Sequence, residues 1–473
     1  MKKLLQVILF LATAVMAQAW QQVNENAPEP PREFRAAWVS TVYNLDWPSR
    51  AGLSPSAQKQ ELLNILNKAV QLKLNAIILQ VRPNGDAIYK SSIEPWSAWL
   101  SGPGVNPGYD PLEFAIREAH KRGLELHAWF NPFRATISGR PVGRNHISRR
   151  QPNLLKRAGN TTILNPSSSA AQQHVLRVIL DVVRRYDIDG VHLDDYFYPY
   201  PPHHNIADGK SPSERRRAVD NFVYNLYTSV KKTKPWVRVG ISPFGIWQPG
   251  YPSGVKAGVN AYEHLACDAR KWLKNGWVDY LAPQLYWRIN SEQSFTALMQ
   301  WWSSINTRRP VWPGIATARI KSSEDPGRPA SEIDAQIAYS RSLARQSAGQ
   351  LFWSWRSIGN NAGGIQSYLA KRYSGYAVPP AMPWSGNVRP QRPGAQAYDN
   401  GSTITLNWNP PDASARKWVI QAGSGRRWRT ICILPGAQRK VKLPARLIGD
   451  AGRIAIRPIS ACGNSGTPAV LAR

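Results

Sequence analysis

Short apolar runs alternate with amphipathic stretches along most of the chain. The runs are FRAAWVSTV, NAIILQV, LELHAWF, DGVHLD, VRVGISPF, DYLAPQLYW, PVWPGIAT and GQLFWSW, eight in all and each of strand length. Helical punctuation separates several of them. Ser54 and Pro55 open one helix, with Leu62, Leu66, Ala69 and Lys73 at helical spacing; Asp110 and Pro111 open another, which Gly123 closes. AQQHVLRVILDVVRRY and CDARKWLKNG read the same way, the second stopped by Gly276. Strands and helices alternating in this manner predict an α/β chain with a (β/α)8 barrel, a TIM barrel, over residues 33–375. A doubly wound open sheet is the alternative, but no G-x-G-x-x-G follows the first strand.

The pattern changes near residues 376–394, YAVPPAMPWSGNVRPQRPG, where Pro and Gly mark a linker. Beyond it STITLNW, KWVIQAG, RRWRTICIL, RKVKLP and GRIAIRPIS follow one another with no helix between. That spacing predicts a small β-sandwich over residues 384–473, similar in general pattern to a fibronectin type III module, with Trp408 and Trp418 in its core. The segment is basic, carrying Arg426, Arg427, Arg429, Arg439, Lys440 and Lys442. At the other end, Lys2 and Lys3, an apolar run and Ala17-Gln18-Ala19 predict a signal peptide over residues 1–19 and a periplasmic or secreted protein. The run is short for a membrane span, so none is expected.

Export changes how the charge reads. The chain has 60 Lys and Arg against 30 Asp and Glu, a net charge of +30 and a pI near 10.3. Basic chains favour nucleic acids, anionic membranes or acidic polymers. Export, and the scatter of the cations without a dominant tract, exclude nucleic acid and leave an anionic glycan or envelope surface. No further envelope or division partner is identified. Cys267, Cys432 and Cys462 are too few for a disulfide scaffold or a thiolate metal cluster; a Cys432–Cys462 bridge and two unpaired thiols both stay open. Eight histidines form no ligand-spaced cluster with carboxylates, and no G-x-S-x-G elbow occurs, so neither a metal nor another cofactor is expected.

What remains is carboxylate chemistry. In IDGVHLDDYFYPY, Asp194 and Asp195 end an apolar run and aromatic residues follow. Barrel enzymes carry their catalytic groups at the C-terminal ends of strands. Side chains alternate along a strand, so Val191 and Leu193 face the helices while His192 and Asp194 point into the barrel, Asp194 at its mouth. Neighbouring carboxylates resist ionising together, which raises one pKa as acid–base catalysis requires. Asp194 and Asp195 are therefore candidate catalytic residues. Asp86 is the third, preferred over Asp46, Asp195 and Glu94 as general acid because the loop after the second strand can lean over the fourth strand's mouth.

Trp and Tyr give sugars flat amphipathic platforms. For any one aromatic core packing is the commoner explanation, but many here cluster at strand ends. Candidate substrate contacts are His192 and Tyr196 beside the aspartates, Asn131 and Arg134 in HAWFNPFR, and Gln284, Tyr286 and Trp287 in DYLAPQLYW.

FRAAWVSTVYNLDWP, QVRPNGDAIYKS, HAWFNPFR, IDGVHLDDYFYP, VGISPFGIW and DYLAPQLYW together resemble the glycosyl-hydrolase-like family labelled family 10-like. That exported group is similar to the divisome-localised glycosyl hydrolase acting on denuded peptidoglycan. The resemblance covers the whole barrel. It implies site roles for Asp194 and Asp195 in DDYFY, Asn131 and Arg134 in FNPFR, and Gln284 and Tyr286 in PQLYW. The chain departs from the family where LNPS (Leu164 to Ser167) stands for LDPG, which replaces an acid by Asn165. The glutamate pair of true family 10 xylanases does not map here, so xylanase activity is not implied. The function expected is an exported glycosidase using paired carboxylates on cell-wall glycan, namely peptidoglycan lacking stem peptides. The alternatives are a non-catalytic carbohydrate-binding protein on the same scaffold and a hydrolase of another acidic exopolysaccharide.

Overall fold

A computed structural model describes residues 19–305, 308–344 and 348–473. The eight apolar runs supply Glu33–Val39, Ala76–Arg82, Glu125–Phe130, Gly190–Leu193, Arg238–Ile241, Tyr280–Leu281, Gly314–Ala316 and Ala348–Trp353, the first to eighth barrel strands. They pair in parallel in chain order, and the eighth returns to the first. The bridges Leu281–Val311 and Gln284–Gly314 join the sixth segment to the seventh and close the sheet into a barrel.

Strand alternation sorts the core into two shells. Phe34, Trp38, Ile78, Tyr280, Trp312 and Leu351 fill the barrel interior, while Ala37, Ile77, Leu79, Val191 and Leu193 pack outward in the main core with the helices. A Cβ on Gly240 would lie 2.0 Å from the Tyr280 ring, so that position must stay a glycine for the aromatic filling to fit. The helices start as their sequences predict. Ser54 accepts from Ala57 N–H ahead of Pro55, and Asp110 accepts from the N–H groups of Leu112 and Glu113 ahead of Pro111.

The C-terminal segment is an antiparallel β domain of two layers. Gly394–Asp399, Thr403–Asn409 and Lys440–Pro444 form one; Arg427–Pro435, Ala415–Ser424, Arg453–Ser460 and Ala469–Ala472 form the other. Trp408 and Trp418 lie in its core, ring centres 5.7 Å apart. Ala19–Val23 joins this domain from the far end of the chain. Its first residues pair with Gly394–Asp399 and its last with Ala469–Ala472, which seats Trp20 in the same core. The rest of the segment read as a signal peptide, residues 1–18, lies outside the described residues. All three cysteines are free thiols, so Cys432 and Cys462 are not bridged. Among the described residues no helix is long and apolar enough to cross a membrane.

The β domain is clamped to the N-terminal face of the barrel. Lys417 reaches Glu125 at 3.1 Å, both side chains about nine-tenths buried, and Arg416 pairs with Asp187 at 2.7 Å and Asp189 at 3.3 Å. Gly123, at φ +74°, sits so close to the other domain that a Cβ there would lie 2.6 Å from the Ile433 carbonyl oxygen. Burial alone would raise the Glu125 carboxyl, but Lys417 and Arg238 overcome it and hold the group at about 2. Lys417→Met leaves Glu125 buried with Arg238 at 3.5 Å as its nearest arginine, and is expected to destabilise the fold by about 2–4 kcal/mol. Adding Glu125→Gln should recover much of that loss. Urea unfolding of the single and double variants measures both effects; a loss under about 0.5 kcal/mol is what an exposed pair would give.

Candidate active site

The C-terminal ends of the barrel strands enclose a cavity of about 500 Å³. Trp38, Trp129 and Trp353 line it from the first, third and eighth strands; Gln80, Asn131, Asp194, Asp195, Ser242 and Gln284 come from strand ends between them. Trp38 and Trp129 each meet Trp353 edge to face, with ring centres 6.3 and 6.0 Å apart. Tyr43, 61 % exposed, stands at the rim.

A chain of side-chain amides leads to the first aspartate. Gln80 Oε1 accepts from the N–H groups of Thr41 and Val42, both at 2.9 Å, so Nε2 is left to donate to Asn131 Oδ1 at 2.5 Å. Asn131 then presents its own Nδ2 to Asp194, donating to Oδ2. Asp194 Oδ1 is buried and has no hydrogen-bond partner among the described residues. Burial pushes the Asp194 carboxyl up to about 7, against the pull of Arg134 and with added push from Asp195. Asp195 is also raised by burial, opposed by hydrogen bonds from Tyr200 and Gln284. The pair therefore shares a proton near neutral pH. Because Oδ2 of Asp194 is already receiving a hydrogen bond, that proton sits on Oδ1.

A second directed chain runs down the barrel axis. The Trp38 indole can only donate, and it does so to His192 Nε2 at 3.0 Å. His192 must then carry its hydrogen on Nδ1, facing the Tyr280 hydroxyl at 2.9 Å. Tyr280 donates onward to His127 Nδ1 at 3.1 Å, and His127 Nε2 donates to Glu125 at 3.3 Å, the carboxylate that Lys417 holds. Burial and the nearby His127 keep the His192 pKa well below its ordinary value, as a neutral ring in this chain requires.

Asp194, Asp195, Asn131, Arg134, Tyr196, Gln284 and Tyr286 all line the cavity. Three expected site residues do not. Asp86 turns into its own loop, where its carboxylate accepts from the backbone N–H groups of Asn84 and Ala98, so it cannot serve as the general acid. His192 is fully buried below the cavity in the axial chain, since its inward direction carries it into the filled barrel. Trp287 packs edge-on against Phe244 at 5.7 Å, because the short sixth strand turns it outward after Gln284 and Tyr286. The other acids considered are engaged elsewhere. Glu94 pairs with Arg82 at 2.6 Å, and Asp46 accepts from Ser354 and the Arg356 backbone. Gln80, Tyr200, Ser242 and Tyr43 were not singled out in the sequence. Gln80 could have been, as the polar residue that interrupts the apolar run after Ala76 to Leu79. Tyr43 carries no such signal, since its place depends on a backbone at φ 58°.

This chain belongs to the Glycosyl hydrolase-like 10 family, whose model matches residues 33–328. It is 36 % identical over 436 residues to the glycosyl hydrolase YngK of Bacillus subtilis (strain 168), spanning 85 % of this chain and 84 % of that protein. To the glycosyl hydrolase DigH of Escherichia coli (strain K12) it is 32 % identical over 323 residues, 61 % of this chain and 74 % of that one. Among solved structures, the PgaB (BpsB) glycoside hydrolase domain from Bordetella bronchiseptica is similar at a TM-score of 0.48 and 12 % identity, covering 72 % of this chain and 99 % of that chain.

The raised Asp194 pKa has a consequence for stability. A carboxyl at about 7 in the folded chain and 3.8 in the unfolded one leaves stability intact below pH 4 and removes it as pH climbs through 7. Asp194→Asn cannot ionise. Its stability relative to the parent should rise between pH 4.5 and pH 8 by on the order of 2–4 kcal/mol. Urea unfolding at the two pH values gives the comparison; a difference independent of pH would contradict the assignment.

Proposed function

We propose that this protein is an exported glycoside hydrolase that cuts cell-envelope glycan, in particular peptidoglycan strands lacking stem peptides. The observation that carries the reading is the cavity's pair of adjacent carboxylates, with a proton held near neutrality on an oxygen that has no protein partner. Asp194 donates that proton from Oδ1 to the glycosidic oxygen as the bond to the anomeric carbon breaks. Asp195, ionised and held by Tyr200, faces the positive charge developing on the sugar ring, and a water then adds to the anomeric carbon and returns its proton to the aspartate pair. The tryptophans supply the platforms on which the rings lie. The family and its glycosyl hydrolase relatives support the chemistry. The signal-like N-terminus supports export, and the basic surface supports an anionic polymer as substrate. The layering of the C-terminal domain, three strands against four, supports a fibronectin type III-like module, here read as a brace across the barrel's N-terminal face over residues 384–473.

Purified sacculi stripped of stem peptides provide the test, scored by release of reducing ends. The full chain should release them, with activity falling above pH ~7 as Asp194 loses its proton, and Asp194→Asn should be slower by ~10²–10⁴-fold. Binding by both proteins without release from either would make the chain a carbohydrate-binding protein instead.

A further inference from the structure

Resting on that reading, we infer that Arg134 is the specificity-determining residue of the cavity and binds a carboxylate carried by the sugar itself. Arg134 opens the short strand Arg134–Thr136, which pairs with Thr161–Leu164, so the backbone beneath it is tethered. Its guanidinium lies over the Tyr196 ring at 4.7 Å and lines the cavity with both aspartates. Among the described residues it has no ion-pair or hydrogen-bond partner. Arg134 is half-buried, whereas the buried Arg82, Arg215 and Arg35 are each paired, with Glu94, Asp208 and Glu33 at 2.6, 2.6 and 2.7 Å.

A planar fork of five N–H donors, held by an aromatic face and left without an acceptor, matches a carboxylate in two-point contact. The aspartates do not oppose such a ligand strongly, because a proton shared between them leaves the cavity with one ionised carboxylate against the guanidinium. Behind the rim residue Tyr43 a second cation lies on an aromatic face. Arg140 lies over Trp99 at 4.4 Å, and Trp99 packs against Tyr43 at 5.1 Å. A neutral glucan or chitin-like strand gives these cations nothing to bind. A sugar bearing a uronic carboxyl or a free lactyl ether does.

Arg134 also lowers the Asp194 pKa, and that role alone would affect every substrate alike. The experiment therefore reads a ratio. Denuded glycan strands are compared with the same strands whose carboxyls have been converted to methylamides, using the full-length protein, Arg134→Gln and Arg134→Lys, each at its own pH optimum. The parent should prefer the free acid in kcat/KM by about 10- to 100-fold, mostly through KM. Arg134→Gln should bring the ratio close to one, and Arg134→Lys should fall between. Equal parent activity on both forms, or an equal loss by Arg134→Gln on both, overturns the inference. If the parent cleaves neither form, the hydrolase reading fails. Binding of Asp194→Asn protein to the two forms then decides Arg134 separately: a preference for the free acid that Arg134→Gln abolishes supports it, and equal binding overturns it.

Discussion

A carboxylate buried at the mouth of a closed barrel must find donors or take up a proton, and two adjacent ones cannot both find enough. Around Asp194 and Asp195 this constraint orders much of the surrounding structure. Gln80 is turned by the backbone of residues 41–42, Asn131 is turned by Gln80, and Asp194 receives the Asn131 amide on Oδ2 while Oδ1 has no hydrogen-bond partner among the described residues. Asp195 takes the Tyr200 hydroxyl. What the donors leave unmet is met by a proton, which sits on the buried oxygen that has no hydrogen-bond partner among the described residues. The same burial that raises the pKa thus selects the reactive atom.

The second organising feature is the polar chain down the barrel axis. Apolar side chains could have filled that space. Instead Trp38, His192, Tyr280, His127 and Glu125 each settle the hydrogen position of the next, and Lys417 of the β domain supplies the charge at the far end. A buried network of this kind is stable only when every member is satisfied. The β domain is therefore part of the barrel's internal bonding rather than a tethered accessory, and the strand Ala19–Val23 ties the other end of the chain into the same domain.

The barrel was legible because its strands and helices differ in period and carry strong caps. Asp110-Pro111 and Ser54-Pro55 needed no tertiary information. Strand alternation also placed Val191 and Leu193 outward and Asp194 at the mouth. Three strands of the β domain were missed for physical reasons. Gly394–Asp399 begins on the last residue of a Pro- and Gly-rich stretch, Ala469–Ala472 is four residues long, and Ala19–Val23 overlaps a segment with the composition of a cleavage site. The site was legible where it follows a strand end and not where it depends on loop direction. Asp86 and Trp287 each leave a strand end close to the cavity, yet loop hydrogen bonds turn one inward on itself and a partner ring takes the other. His192 shows the limit of alternation, which gives the face of a residue but not its depth.

The central claim is that Asp194 and Asp195 share a proton near neutral pH inside a carbohydrate-sized cavity. The most direct measurement is a carbon-13 NMR titration of protein labelled at the aspartate carboxyl carbons, with Asp194→Asn as the assignment control. The account predicts one carboxyl resonance titrating near pH 7 that disappears in Asp194→Asn. If every aspartate instead titrates below about pH 5, within the ordinary carboxylate range, the shared proton does not exist and the catalytic reading of the pair falls with it.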